Sequence, residues 1–291
     1  MNLDLVYNPV AGSFRPERLE ALVRAFTARG ARVTPVATTL RGVTISPDAE
    51  LVCVHGGHGT LRDTVQSLGA RAGAVPLCIA PAGTINLVAR EIGYVRKPGA
   101  LADQVMRAWD RPEGWVRAPL YTLGDLPVVS CLSIGPDSHA VARVSPALKR
   151  RLGRMAYVVA LLRVLREWPR ETMSLSGELT DGTPFKCEAA AVIVSHGALY
   201  AGPFRLPPGA SLAADSVELI VLERPSRRGV AAFTAAAFAG WPLDRLGLAS
   251  FRSVRRVAFD RCVHPVQVDG DHISDCGFAV GPSGMTLRYV I

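Results

Sequence analysis

Two glycine-rich segments in the first third of the chain could bind phosphate. One contains Gly56, Gly57 and Gly59 and follows the apolar run Leu51–Val54, and the other, PAGTIN, follows Val75–Ala80. Each precedes a stretch that can form a helix. A strand, a glycine turn and a helix together direct main-chain N–H groups and a helix N-terminus towards one point, where phosphate binds. Glycine also permits a positive φ and close approach of a ligand. Two tight turns of an α/β sheet would show the same pattern, so each segment alone leaves both interpretations open.

Three motifs in this part of the chain have the order and spacing of a known family. They read NPVAG from Asn8, GGHGTLRDT from Gly56 and PAGTINLVAR from Pro81. Together they resemble the diacylglycerol kinase catalytic-domain family, which includes bacterial lipid kinases and sphingosine kinases, with NAD kinases as distant relatives. The resemblance implies an ATP site lined by Asn8, Gly12, Thr38, Gly56, Gly57, His58, Gly59, Thr60 and Thr84.

Three positions in these motifs depart from the family pattern. His58, Arg62 and Leu87 stand where the family has Asp, Asn and Asp. Magnesium prefers oxygen ligands, so histidine is a poor replacement for a carboxylate in its coordination shell. An arginine at position 62 could contact phosphate directly. The departures leave three interpretations open: altered metal handling, reduced catalysis, or loss of activity with the fold retained.

The second half of the chain continues the resemblance, at LSIGPDSHA, LKRRLGRMAYV, GPFRLPPGASLAADSVELIVL and VQVDGD. In the last of these, Asp271 stands where the family has the glutamate of DGE, which implies that it accepts the proton of the substrate hydroxyl. A hairpin turn built on Asp-Gly would explain the same residues without catalysis. The resemblance also implies a structural Mg²⁺, held by the carboxylate of Asp215 and the main-chain carbonyls of Leu212 and Val217.

The pattern of apolar runs predicts two domains. Up to about residue 120, strands alternate with amphipathic stretches such as Leu19, Leu22, Val23 and Phe26, which indicates an α/β nucleotide-binding domain with a parallel sheet. Beyond that point, short alternating runs separated by Pro and Gly indicate an antiparallel β-rich domain for the lipid substrate. We expect the domains to span 1–120 and 121–291, with the last strand a candidate to return to the first domain.

The charge of the chain favours anionic partners. Its 291 residues carry a formal net charge of +8, and basic side chains cluster between Lys149 and Arg166. A solvated helix face is the ordinary interpretation of such a cluster, and transient contact with an anionic membrane surface is the functional one. Aromatic residues make up only 7% of the chain, without the interleaved platform that binds single-stranded nucleic acid, so we expect no nucleic-acid partner.

The sequence predicts a cytoplasmic protein with peripheral membrane contact. The start, MNLDLVYNP, lacks the basic and long apolar regions of a signal peptide. The most apolar helix candidate, Val230–Trp241, is shorter than the roughly 20 residues that span a bilayer. Six cysteines lie apart, without spacing for zinc or for a disulfide framework.

These observations predict an ATP- and Mg²⁺-dependent kinase that transfers the γ-phosphate to a hydroxyl of diacylglycerol, sphingosine or a related lipid. One alternative is a non-catalytic nucleotide- or lipid-binding relative, motivated by His58 and Leu87. The other is a kinase of a soluble alcohol. No residue pattern in the chain identifies the acceptor or the oligomeric state.

Overall fold

The computed structural model describes the chain at residues 1–11, 14–83, 85–144, 160, 163–164, 171–200, 204–205, 210–223, 226–239, 241, 243, 245–260, 265–273 and 279–291. The chain forms two compact units. One comprises Met1–Leu120 with Gly284–Ile291, and the other comprises Tyr121–Ser283. No helix in these ranges has the length and hydropathy needed to cross a membrane.

The first unit contains the predicted parallel sheet. Its strands are β1 (Asn2–Tyr7), β2 (Arg32–Ala37), β3 (Leu51–Gly56) and β4 (Leu77–Pro81), in the spatial order β4-β3-β1-β2. All three neighbouring pairs run parallel. Every residue of β3 and β4 is buried, as expected of strands covered on both faces. All four carboxyl ends therefore lie along one edge of the sheet.

Four helices belong to this unit: α1 (Pro16–Thr27), α2 (His58–Leu68), α3 (Leu87–Ile92) and α4 (Pro98–Trp109). Helix α1 starts at a proline, which suits the first turn, and buries Leu22 and Phe26, one turn apart, as the apolar stripe predicts. Helix α2 follows β3 after the single residue Gly57. This short connection fixes the N-terminus of α2 at the carboxyl edge of the sheet.

The remaining elements follow in chain order. They are β5 (Val116–Leu123), β6 (Leu126–Val128), β7 (Cys131–Ile134), α5 (Pro136–Arg143), β8 (Met173–Leu179), β9 (Pro184–Ala189), β10 (Ala191–Ser195), β11 (Leu199–Tyr200), β12 (Phe204–Arg205), β13 (Val217–Leu222), α6 (Arg227–Ala239), β14 (Ser250–Phe259), β15 (Val266–Val268), β16 (Asp271–Ile273) and β17 (Ala279–Tyr289). Within the second unit, the strand pairs that the structure describes are antiparallel, which confirms the predicted β-rich fold.

The central strands of the second unit are buried on both faces. Along β10, Val192 and Val194 join one apolar cluster and Ile193 joins the other, following the two-residue period of a strand. Helix α6 covers the second cluster with Val230 and Phe233. The helix predicted around Leu148–Leu162 falls almost wholly outside the described residues.

Candidate functional site

The carboxyl edge of the parallel sheet brings most of the predicted nucleotide-site residues of the first unit together. Asn8 follows β1, Thr38 follows β2, and the segment from Gly56 to Thr60 ends β3 and begins α2. The N–H of Thr38 donates to the Tyr7 main-chain oxygen at 2.9 Å, which holds the ends of β1 and β2 side by side. Two further residues of the predicted site, Gly12 and Thr84, lie outside the described residues.

The two glycine loops are in direct contact. The N–H groups of Ala82 and Gly83 both donate to the main-chain oxygen of Gly56, each at 3.2 Å. A Cβ built on Gly83 would lie 2.7 Å from the Cα of Gly57, closer than real Cβ atoms approach. Glycine at position 83 is therefore required for the loops to meet.

The glycines of the first loop do not use the positive φ that this residue permits. Gly56 ends β3, Gly57 has φ −104° in extended backbone, and Gly59 lies inside α2. A Cβ on Gly56 would lie 2.5 Å from the side chain of Thr60, which is only 5% exposed. Gly56 serves close packing, and the Thr60 side chain fills the space that its absent Cβ leaves.

The N-terminus of α2 suits an anion. Its N-cap residue is Gly57, no side chain caps it, and its first turn contains no acidic residue. The first N–H groups of a helix have no partner within the helix, and the helix dipole places partial positive charge there. Gly57, His58 and Gly59 remain partly exposed at this point. The segment therefore fits the phosphates of a nucleotide.

His58 joins the two loops. Its Nε2 accepts a hydrogen bond from the main-chain N–H of Leu87, at 2.7 Å. This bond supplies a partner for the start of α3, where the preceding residue Asn86 provides no side-chain cap. An Nε2 that accepts this bond carries no proton and directs its lone pair at Leu87, so it is not positioned as a metal ligand.

The other two departures are buried. Arg62 is 8% exposed, with a guanidinium nitrogen 3.8 Å from the carboxylate of Asp63, and Leu87 is 4% exposed. A direct phosphate contact by Arg62 is therefore disfavoured by its burial. The side chain of Leu87 is buried in the core, while its main-chain N–H donates to His58.

Two site residues were missed by sequence reasoning. Asn86, in the left-handed region at φ 53°, accepts from the Gly83 N–H at 2.7 Å and donates to the Gly83 oxygen. Asparagine is enriched in this conformation, so its place in PAGTIN was a usable signal. His55 is a buried member of β3, and its Nδ1 lies 3.2 Å from the Ala80 oxygen. Desolvation lowers the pKa of His55, helped by the charge of Arg18.

The acidic segment of the second unit forms a tight hairpin. Val268 pairs with Asp271 across β15 and β16, and the two residues between them, Asp269 and Gly270, have φ of 56° and 89°. Two positive φ values are characteristic of a type I′ turn, so the Asp-Gly interpretation is correct for the backbone. The turn places Asp271, which is half-buried, at the first position of β16. The hairpin turn is therefore compatible with a role of Asp271 as the base.

Asp269 anchors this hairpin. Its buried carboxylate accepts hydrogen bonds from the N–H groups of Val129, Ser130 and Cys131, at 3.1, 2.8 and 3.2 Å. Its own N–H donates to the Cys131 oxygen at 2.8 Å. Several N–H donors stabilise a buried carboxylate, so Asp269 fixes the connection between β6 and β7 and, with it, the turn.

The segment proposed to hold Mg²⁺ is ordered by two aromatic side chains. The Tyr121 hydroxyl donates to the Asp215 main-chain oxygen at 2.9 Å, and the His196 ring hydrogen-bonds the main chain at Ala214. Burial lowers the pKa of His196 to about 4, so its ring is neutral at pH 7.

The predicted ligands of this ion lie at the two ends of the same segment. Asp215 is exposed, Leu212 is buried, and Val217 begins β13. The described residues contain no group of three or more His, Cys, Asp or Glu placed to hold a metal. One carboxylate and two carbonyls nevertheless suit Mg²⁺, which keeps several of its waters.

Two family models match the chain. The diacylglycerol kinase catalytic domain matches residues 2–116, and the YegS C-terminal NAD kinase beta sandwich-like domain matches residues 130–287. The two matches cover the parallel-sheet unit and most of the antiparallel unit, and the second alone spans more than half of the chain.

Curated relatives are similar over parts of the chain. A Pseudomonas putida protein named "Probable lipid kinase YegS-like" is 27% identical over 170 residues, which are 58% of this chain and 55% of that protein. A Pseudomonas aeruginosa protein of the same name is 35% identical over 107 residues, 36% of this chain and 32% of its own. The chain thus spans about half or less of these relatives. A Bacillus subtilis protein named "Diacylglycerol kinase" is 24% identical over 231 residues, 76% of this chain and 73% of that protein.

A solved structure of a candidate diacylglycerol kinase from Bacillus anthracis str. Sterne has the same fold. The match has a TM-score of 0.72 and covers 99% of this chain and 96% of the other, at 18% sequence identity. A second structure, of a diacylglycerol kinase from the same organism, matches with a TM-score of 0.67 at 16% identity.

We predict that Gly83→Ala lowers the free energy of unfolding by roughly 1–3 kcal/mol, because its Cβ meets the Gly57 backbone. Gly114→Ala is the matched control, since a Cβ there meets nothing within 4 Å. The midpoint of urea unfolding measures both. An equal effect of the two changes would contradict close contact between the loops.

We expect His58→Ala to accelerate hydrogen exchange of the Leu87 amide, because that N–H loses its acceptor. The loss of one hydrogen bond costs about 1 kcal/mol, which corresponds to roughly five-fold faster exchange. His58→Gln, which retains an acceptor at similar reach, is expected to restore protection. Exchange followed by mass spectrometry over 82–92 tests this, and unchanged protection in His58→Ala would refute the link.

Asp269→Asn is expected to cost roughly 2–3 kcal/mol of stability, because an amide replaces a carboxylate that accepts three N–H groups. Asp271→Asn, at a half-buried position two residues away, is expected to change stability by only about 0.5 kcal/mol. Urea unfolding monitored by circular dichroism compares them. The reverse order would transfer the anchoring role to Asp271.

Proposed function

The chain belongs to the diacylglycerol kinase catalytic-domain family, and on that premise we propose that it is an ATP-dependent lipid kinase. It transfers the γ-phosphate to a hydroxyl of diacylglycerol, sphingosine or a related lipid. The observation that carries the proposal is the pair of joined glycine loops at the carboxyl edge of the parallel sheet, beside the uncapped N-terminus of α2. Ligands of open α/β sheets bind at this edge.

The nucleotide phosphates bind at the first turn of α2 in this proposal. Main-chain N–H groups from Gly57 to Thr60 supply hydrogen bonds and the partial charge of the helix terminus. Asn8 and Thr38, with Gly12 and Thr84, complete the cradle by resemblance to the family. A magnesium ion that accompanies ATP would neutralise charge on the phosphates. His58 contributes by holding the second loop against the first, since its Nε2 is engaged by Leu87.

The acceptor hydroxyl is activated by Asp271 in this proposal. A carboxylate accepts the proton as the oxygen attacks phosphorus, and a positioned base of this kind contributes roughly 10²–10⁴-fold to the rate. Asp269 supports this role because its three N–H contacts fix the turn that carries Asp271. Leu212, Asp215 and Val217 would hold a second, structural Mg²⁺ that orders the segment before β13.

A non-catalytic nucleotide-binding relative is the second candidate. It is favoured by the burial of Arg62 and Leu87 and by the use of His58 as a hydrogen-bond acceptor rather than as a metal ligand. Both candidates retain the phosphate cradle, so both predict nucleotide binding, and only phosphoryl transfer separates them.

Two measurements on the parent protein test the proposal. ATP is expected to raise the melting temperature, because a ligand of the native state stabilises it. Radiolabel is then expected to move from ATP to a mixed lipid extract in detergent micelles with Mg²⁺. A melting shift without transfer supports the non-catalytic relative, and transfer only to a water-soluble alcohol supports a kinase of soluble acceptors. No shift at millimolar ATP would reject nucleotide binding altogether.

Asp271→Asn is expected to lower turnover by roughly 10²–10⁴-fold while the melting shift with ATP is retained. The amide keeps the shape of the residue and removes its basicity. Asp181→Asn is a suitable control, because Asp181 is an exposed turn residue between β8 and β9. Full activity of Asp271→Asn would place the base at another residue.

A further inference from the structure

Helix α6 of the second unit presents an apolar face on its outer side. Its inner side buries Val230, Phe233 and Ala236 against the sheet. A surface helix ordinarily carries polar residues opposite such a stripe. Among the α6 side chains that the structure describes, those exposed after Arg228 are all alanines, namely Ala231, Ala232, Ala235 and Ala239.

The segment after α6 exposes two large apolar side chains. Trp241 is 62% exposed and Leu246 is 49% exposed. Burial of large apolar side chains in an apolar environment is favourable, so the exposure of these two leaves a driving force for association. Exposed apolar patches of this kind mark sites of interaction with proteins or membranes.

The two side chains are held in place by the fold. The Trp241 N–H donates to the Ala236 oxygen at 2.9 Å, which fixes the end of the helix. Leu243 is buried in the same cluster as the inner side of α6, and the Leu248 N–H donates to its oxygen at 3.0 Å. Trp241 and Leu246 therefore project from an anchored segment.

The charges around this face favour an anionic partner. Arg227 and Arg228 are exposed at the start of α6, and Arg245 is exposed next to Leu246. A second copy of the chain packed on this face by two-fold symmetry would place one positively charged face against another, which is unfavourable. An anionic bilayer pairs with all of them, and tryptophan and arginine are typical of the membrane interface.

We propose that the outer face of α6 together with Trp241, Arg245 and Leu246 docks the protein on an anionic lipid bilayer. We call these residues the docking face. Trp241 and Leu246 enter the headgroup region, the alanines allow the helix to lie close to the surface, and the arginines bind anionic headgroups. This rests on the proposed function in one respect, since a lipid acceptor is drawn from a bilayer.

The basic residues that sequence analysis assigned to a membrane contact are a different set. Lys149, Arg150, Arg151, Arg154 and Arg166 lie outside the described residues, and Arg163 is exposed. The docking face combines charge with exposed aromatic and aliphatic side chains, which a basic run alone does not. Insertion of apolar side chains also makes binding less sensitive to salt than purely electrostatic attraction.

The test is sedimentation of the full chain with lipid vesicles in the absence of nucleotide. Vesicles of equal parts phosphatidylglycerol and phosphatidylcholine are expected to bind the parent, and pure phosphatidylcholine vesicles to bind it less. Trp241→Ala combined with Leu246→Ala is expected to weaken binding at least ten-fold. Arg228→Glu and Arg245→Glu are expected to weaken it about five-fold or more each, because each arginine near the surface contributes about 1 kcal/mol.

Val95→Ala is the matched control, because Val95 is an exposed apolar residue of the other unit, at 39% exposure. It is expected to bind vesicles as the parent does, and circular dichroism checks that every variant is folded. Equal vesicle binding by the parent and the Trp241/Leu246 double variant would overturn the proposal. A parent dimer that the double variant loses, measured by light scattering without lipid, would assign the face to a second copy and would also overturn it.

The test of the docking face and the test of the kinase can give different results. Transfer of radiolabel to a short-chain diacylglycerol in micelles does not require a bilayer, and the double variant is expected to retain it. Vesicle binding that the double variant loses, without such transfer by the parent, would reject the kinase and uphold the docking face. Transfer in micelles by a parent protein that does not bind vesicles would uphold the kinase and reject the docking face.

Discussion

The contact between the two glycine loops is the constraint on which the candidate site depends. The carboxyl ends of β3 and β4 are neighbours, so the loops that follow them must share a narrow space. They do so because Gly83 carries no Cβ, which would lie 2.7 Å from the Gly57 Cα, and because the Gly56 oxygen accepts the N–H groups of Ala82 and Gly83. The start of α2 lies beside this contact. A site for phosphate thus arises from a packing requirement between main chains, and glycine is the residue that satisfies it.

The fold could be predicted from sequence because its signals are local. Apolar runs and amphipathic spacing identified β3, β4 and α1, and short alternating runs indicated the antiparallel domain. The role of each site residue depended on partners distant in sequence. His58 meets Leu87, 29 residues away, and Asp269 meets Ser130, 139 residues away. No local pattern contains such pairs. The glycines were located correctly, but the contact between Gly57 and Gly83 joins two loops that are separate in sequence and could not be read from either motif.

Two of the three departures from the family pattern are connected. His58 and Leu87 replace two carboxylates of the family, and they are joined by a hydrogen bond in which the Leu87 main chain, not its side chain, takes part. An apolar side chain at position 87 can therefore be buried without breaking the link. The same separation of roles holds in the DGD turn, where Asp269 is anchored in the interior and Asp271 is left half-buried. In both places one residue fixes the main chain through hydrogen bonds: His58 fixes the Leu87 N–H, and Asp269 fixes the turn that precedes Asp271.

Residues 284–291 belong to the first unit, so that unit is completed only after the second unit has been synthesised. Tyr289 pairs with Leu77 beside β4, and the Tyr94 hydroxyl donates to the Val290 oxygen at 2.8 Å. The ribosome releases residues 1–120 long before these partners emerge, so during that interval the side of β4 that later pairs with Tyr289 has no strand beside it. An uncovered sheet edge invites association with other chains. The edge of β4 that pairs with Tyr289 therefore stays without this partner until residues 284–291 have been synthesised.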